Sequence, residues 1–450
     1  MHFDSLRAGI ACLPAVFMSI ALACALPGIA ADTPLTLANA QRIAVERSRQ
    51  LAAQDAFITS SREMAVAAGR LPDPLLRIGI DNLPIEGSDR FSLERDFMTM
   101  RRIGVMQELT SADKRRLRGE RFEREADRAV AEKNSAIAAI QRDTAIAWLE
   151  RSYLERLRSA VAEQAEESRL EIQAAEGAYR GGRASQTDVI SARSSRIMLE
   201  DRISELDKRI RNARAALARW IGEESADSPL GSPPALDTVP VHAHALREQL
   251  ERHPTIAVLG EDVAIAQTDV RLAQANKRAD WSWELAYQKR GPAFSDMVSV
   301  SVSIPLQWDQ KNRQNRELAS RLALAERATA QRDEALRQHI AEVQTMLNEW
   351  ENGLERVQRY GQALNPLARE RTQAALAAYR GGKGDLAAVL SARRNEIEVR
   401  SQALQLEIDT ARMWAQLRFL YPDIADKPPA AVHSRSPTPV GAGSPVTEAR

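Results

Sequence analysis

The chain has 450 residues, 27% of them charged, yet its formal net charge is only +1 and 5% of its side chains are aromatic. Without a basic excess it lacks the electrostatic footprint of a nucleic-acid binder. Both cysteines, Cys12 and Cys24, fall in the first 31 residues, which excludes disulfide, thiol-redox and cysteine–metal chemistry from the remainder.

Residues 1–31 are expected to be a signal peptide. Arg7 precedes an apolar run from Ala8 to Leu26, and Pro27-Gly28 with the small pair Ala30-Ala31 suits cleavage before Asp32. An uncleaved N-terminal anchor is the alternative, disfavoured by the Pro-Gly break. Cys24 follows Ala21-Leu22-Ala23, loosely a lipoprotein cleavage box, and is a candidate for lipidation. No later run reaches the roughly 18 apolar residues of a spanning helix, a test that β-barrel strands escape.

From Leu35 to about Gly69 the sequence reads as helix, ended by Gly69-Arg70-Leu71-Pro72. A β-hairpin is then expected over 75–109. Leu76, Ile78 and Ile80 alternate with Arg77, Gly79 and Asp81, and Ile103 and Val105 alternate with Arg102, Gly104 and Met106. Residues 111–221 read as a long helical hairpin. Its first arm, proline-free from Ser111 to Ala178, would measure roughly 100 Å at the α-helical rise. The second arm carries a coiled-coil seam of Val189, Ala192, Leu199, Ile203, Leu206, Ile210, Ala213, Leu217 and Trp220.

After a Pro/Ser/Gly-rich connector at 222–242 the succession restarts. A helix is expected from His253-Pro254, a β-hairpin over 281–306, and a helical hairpin over 310–421 with an interruption near Pro366. Val298, Val300, Val302 and Ile304 alternate strictly with Ser299, Ser301 and Ser303. Residues 422–450, rich in Pro, Ser and Ala, read as a disordered tail.

The restart has a literal signature. Tyr179-Arg-Gly-Gly182 recurs as Tyr379-Arg-Gly-Gly382, and Ser191-Ala-Arg193 recurs in register as Ser391-Ala-Arg393. Two internal repeats are therefore expected, 32–221 and 243–421. Each supplies two strands with the length and alternation of transmembrane β-strands. A lone hairpin in lipid would leave its edges unpaired, so spanning strands would have to be pooled among chains. The fold class expected is mainly α with a transmembrane β part: a long antiparallel coiled-coil α-helical barrel joined to an oligomeric outer-membrane β-barrel with four strands per chain.

The layout resembles the TolC-like outer-membrane factors of tripartite efflux pumps and type I secretion systems. The resemblance rests on the duplicated strand-hairpin and helix-hairpin order, the Tyr-x-x-Gly segments at 179–182 and 379–382, Val-Ser-Ile-Pro-Leu at 302–306, and Gly104-Val-Met-Gln-Glu-Leu with Lys114-Arg-Arg116. Within that family it is most similar to the CusC/CzcC-type heavy-metal branch. The resemblance implies a homotrimeric conduit in outer-membrane lipid, extending into the periplasm and fed by an inner-membrane resistance-nodulation-division pump. A periplasmic adaptor would dock on the tips formed by Tyr179, Arg180, Gly181, Gly182, Arg183, Tyr379, Arg380, Gly381, Gly382 and Lys383. Acidic residues just inside the tips form a pore constriction in the family. Asp188 occupies a matching offset, whereas the second repeat has Ala388 and Ser391 at the acidic positions and offers only Asp385.

Each of these residues also has a plainer reading. The glycines serve any helix-hairpin turn, and Asp188 and Asp385 favour any helix N-terminus. Trp281, Trp283 and Tyr287 are candidate membrane-interface aromatics. Met98, Met100, Met106, His242 and His244 suggest metal ligation only weakly, so no metal or other cofactor is expected. Nor is an enzyme, since no phosphate-binding loop or catalytic constellation stands out. A multidrug or secretion duct of the same family, or a periplasmic scaffold without a pore, are the competing functions.

Overall fold

The computed structural model describes residues 34–182 and 184–423. The expected signal peptide, Cys24, Arg183 and the tail beyond Asp423 lie outside the described residues. The first half of the chain runs α1 (Leu37–Arg47), α2 (Arg49–Ala68), β1 (Leu75–Asp81), β2 (Met100–Leu109), α3 (Ala112–Arg180) and α4 (Gln186–Ile221). Two short helices, α5 (Glu223–Asp227) and α6 (Leu246–Glu251), bracket the connector. The second half runs α7 (Pro254–Ala275), β3 (Trp281–Lys289), β4 (Met297–Ser303), α8 (Gln314–Arg359), α9 (Asn365–Arg380) and α10 (Leu386–Arg418).

Three departures from the expected elements have local causes. The first helix breaks at Ser48, which leaves helical geometry (ψ 112°) and accepts a hydrogen bond from the Leu51 N–H, capping α2 inside a helical run. Between α8 and α9 the hydrogen bonding widens to a π turn at Tyr360–Leu364. Pro366, in the first turn of α9, has no N–H to return to the preceding turn, and the wider turn absorbs that defect. Strand β4 stops at Ser303, because Pro305 cannot donate to a ladder.

Helix α3, 69 residues long, is the spine. It packs against α4 and α10 along one stretch and against α2 and α7 along the other, while α7 and α10 also touch α8. Seam residues Val189, Ala192, Leu199, Leu206, Ala213 and Leu217 of α4 are buried. On α10 so are Val389, Ala392, Ala403, Leu406 and Leu417. Thr410 sits in that second seam because its hydroxyl donates to the Leu406 carbonyl at 2.8 Å. Opposite it, Gly353 leaves room: a Cβ there would lie 2.5 Å from Thr410 Oγ1.

The main core gathers around Trp148 of α3 at the level of the connector. Trp148 Nε1 donates to the Leu35 carbonyl at 3.0 Å, and Trp350 Nε1 donates to the Leu236 carbonyl at 3.0 Å. Trp414 reaches the Thr238 carbonyl at 2.9 Å, and buried Arg151 binds the Ala226 and Ser228 carbonyls at 2.6 and 3.2 Å. The connector carbonyls of Ala226, Ser228, Leu236 and Thr238 are thus held by side chains of the long helices. Deep in the same region burial, and then Glu407, push the Tyr153 hydroxyl up to about 12.

Among the described residues no helix is long and apolar enough to cross a membrane.

Candidate functional site

The four strands form one antiparallel sheet in the order β1-β2-β3-β4, so the hairpins of the two halves join through β2 and β3. Register sorts the side chains into two faces. Ile78, Ile103, Tyr287 and Val298 form one cross-strand row, and Leu76, Val105, Leu285 and Val300 the next. This face is apolar and bare: Ile78 is 75% exposed and Val300 72%. Trp281 and Trp283 stand on it near the helices and Tyr287 toward the far loops, where the Tyr287 hydroxyl donates to the Asp296 carboxylate.

The opposite face carries Arg77, Arg102, Glu284, Gln288 and the serines of β4. Glu284 is only 7% exposed. It is tolerated there because Arg102 Nη2 reaches one of its oxygens at 2.5 Å and Arg77 Nη1 the other at 3.1 Å. These bonds tie the first half's hairpin to the second half's. Gly104 permits the close β2–β3 approach beneath them, since a Cβ would fall 2.8 Å from Ala286 Cβ. Sequence alternation sets Arg77, Arg102 and Glu284 on polar faces, but only the β2–β3 pairing makes them one cluster.

Buried Lys114 anchors the sheet to the helices, binding Asp280 at 2.9 Å and the Arg278 carbonyl at 2.6 Å. Among the described residues both outer strands have a free side, for β1 pairs only with β2 and β4 only with β3.

The hairpin tips lie at the other end of the long helices. Gly182 and Gly382 both adopt φ +69°, the left-handed conformation that admits glycine without strain. Their N–H groups donate to the Tyr179 and Tyr379 carbonyls at 3.0 Å each. Arg180, Gly181, Arg380, Gly381 and Lys383 are exposed on the two turns. Asp188 completes a capping box: its Oδ2 accepts from the Ser185 N–H at 2.8 Å while Ser185 Oγ accepts from the Asp188 N–H at 3.2 Å. Asp385 is itself the N-cap of α10 and accepts from the Ala388 N–H at 2.8 Å. It therefore takes the part of Ser185, not of Asp188.

A small core holds the tips together, with Ala175, Val189 and Ala192 from the first hairpin against Leu386, Val389 and Leu390 from the second. Arg393 reinforces it across the hairpins, reaching Glu167 at 2.7 Å and Glu171 at 3.1 Å on α3. The sequence marks Arg393 as part of a repeated tripeptide but says nothing of these partners, which lie more than two hundred positions away. Among the described residues no group of three or more His, Cys, Asp or Glu side chains is placed to hold a metal ion. Met106 Sδ instead accepts from Arg77 at 3.1 Å.

The fold is shared with solved outer-membrane channels. Solved structures of that kind superpose on most of the chain. The channel OprN shares 19% identity, covering 85% of this chain and 89% of its own with a TM-score of 0.71. CusC, a transmembrane channel, shares 14% over 85% of this chain and 91% of its own, with a TM-score of 0.69. The outer-membrane protein VceC of Vibrio cholerae shares 19% over 84% and 96%, with a TM-score of 0.65. Neither a protein-family model nor a curated protein matches the sequence.

Proposed function

We propose that this chain is the outer-membrane duct of a tripartite efflux pump, a periplasm-spanning conduit rather than an enzyme. One observation carries the reading: a four-stranded sheet bare on its apolar face and free at both edges. Such a face calls for an apolar cover, and where that cover is lipid the edges must be paired with other strands. In this proposal three chains pool their strands into a barrel, with Ile78, Leu285 and Val300 toward lipid and Arg77, Arg102 and Glu284 toward water. Trp281, Trp283 and Tyr287 lie at the membrane interfaces.

The adaptor docks on the tips, at Tyr179 to Arg183 and at Tyr379 to Lys383. Asp188 and Asp385 are the acidic groups proposed for the constriction, held in place by their capping bonds. The cargo proposed is a heavy-metal cation delivered by a resistance-nodulation-division pump, a reading that rests on the sequence resemblance to the metal branch. Drug export or protein secretion through the same kind of duct is the second reading.

Two measurements test this. Extracted protein should require detergent and have the mass of three chains, and a monodisperse monomer in plain buffer would overturn the duct. A strain lacking the gene should become sensitive to copper, silver, zinc, cobalt or cadmium. Sensitivity to antibiotics alone would transfer the cargo to the second reading.

A further inference from the structure

His253 and His339, distant in sequence, meet at the level of the connector. Their ring centroids are 4.3 Å apart, and the ring of Tyr421 stands edge-on to His253 at 5.6 Å. Three elements converge there: the start of α7, the middle of α8, and the segment that follows α10. His253 is the N-cap of α7, its Nδ1 accepting from the Thr255 N–H at 3.3 Å, with Pro254 opening the helix behind it. The Tyr421 hydroxyl donates to the Gln249 carbonyl of α6, so the chain after α10 is strapped over the same point.

The charged and titratable groups around His253 do not favour a cation. From α3, Arg142 and Asp143 line the adjoining cavity of about 470 Å³, and they pair with each other at 2.8 Å. From α8 come His339 and Glu342, with His339 Nδ1 3.5 Å from Glu342 Oε2. Arg252 precedes His253 in the chain, and Tyr421 faces it from beyond α10. Among the described residues no carboxylate forms an ion pair with His253, which is only 8% exposed.

We propose that the His253–His339 contact is an acid-sensitive latch on the connector-level junction. A proton on His253 Nδ1 turns the capping acceptor into a donor that confronts the Thr255 N–H. It also sets a positive charge on the positive end of α7 and against the ring of His339. Both effects favour release of the start of α7 from α8, against the smaller pull of a hydrogen bond to the Leu420 backbone, which favours the protonated ring. The geometry alone gives this direction, and it does not depend on what the duct carries.

Burial, followed by the charge of His339, holds His253 well below its ordinary 6.5, at about 4. Because the closed form binds its proton less tightly than the opened form, the latch is strongest above pH 6.5. It weakens as pH falls from there toward 4.

Hydrogen exchange on the full chain in detergent tests the latch. Each step of one in pH below 6.5 should favour the opened form about tenfold. Corrected for intrinsic rates, protection at 254–262 should therefore fall about 30-fold between pH 7.5 and 5. His253→Asn keeps a short capping side chain without a titrating group, and should give a flat profile. His339→Gln removes the neighbouring charge and should shrink the fall. A wild-type profile that stays flat to pH 5 overturns the proposal, as does a His253→Asn chain with the wild-type slope. Should His253→Asn fail to fold, the wild-type and His339→Gln profiles decide between the same outcomes.

Discussion

The two hairpin tips share a tetrad and a turn, with Gly182 and Gly382 at the same φ of +69°, but their surroundings differ at several matched positions. Tyr179 is 49% exposed, whereas Tyr379 packs into the tip core with its hydroxyl buried and without a hydrogen-bond partner among the described residues. Arg193 pairs within its own hairpin, with Glu176 at 2.6 Å, while Arg393 crosses to Glu167 and Glu171 of the other hairpin. The first tip is capped by a Ser185–Asp188 box and the second by Asp385 alone. Helix α3 runs unbroken to its tip, and α8–α9 contains a π turn. Shared sequence at the turn fixes backbone shape. The ties between hairpins depend on what lies opposite, and there the two halves differ.

Four sets of substitutions would break or sharpen this contrast. The largest difference is expected between Arg393→Met and Arg193→Met. Removing Arg393, whose side chain is 18% exposed, strands Glu171, which is 9% exposed. That should cost the α3–α10 contact about 3 kcal/mol. Arg193 is 62% exposed, and its loss should cost less than about 0.5 kcal/mol. Hydrogen exchange at 386–396 reads the first and at 186–196 the second, and equal effects would erase the distinction between a crossing and a local pair. Next, alanine at Gly182 or at Gly382 should destabilise each turn by about 1–2 kcal/mol. The two costs should match because the backbones match, and limited proteolysis at the tips would expose any inequality.

Asp385→Ala and Ser185→Ala should each weaken a helix start by about 1 kcal/mol. Asp188→Ala should then add little to Ser185→Ala, since both act through one box, and additive losses in α4 exchange would argue against it. Smallest is Tyr379→Phe. Deleting a buried hydroxyl without a partner should leave the tip unchanged or firmer by up to about 1 kcal/mol, while Tyr179→Phe should be silent. A marked loss for Tyr379→Phe in the same exchange measurement would mean that its hydroxyl has an acceptor in the assembly.

Much of the fold is readable in the sequence because its signals are local and periodic. Alternation at Leu76–Ile80 and Val298–Ile304 marks strands, and the three-four spacing from Val189 to Leu217 marks the seam of α4. The glycines mark the turns. What stays hidden depends on contacts between distant residues or on subtle breaks. Ser48 interrupts a helix in a stretch of ordinary helix formers, and its capping bond is invisible until the backbone turns. The connector's Pro/Ser/Gly composition reads as loose chain, yet indoles of Trp350 and Trp414 bind its carbonyls. By position Asp385 resembles a displaced counterpart of Asp188, and the observed cap aligns it with Ser185. The Arg77–Glu284–Arg102 cluster needs the β2–β3 register, which joins residues from opposite halves of the chain.

The free edges of β1 and β4 also bear on how the protein is made. Each is a row of backbone donors and acceptors open to any strand that arrives first. In the proposed duct one chain's β1 would meet another's β4, a head-to-tail contact that either closes a ring or runs on as a filament. A folded but solitary chain is therefore at its most hazardous before it meets its own kind. The yield of usable protein should be governed by how fast rings close relative to how fast new chains appear, so slow synthesis should serve better than abundant synthesis.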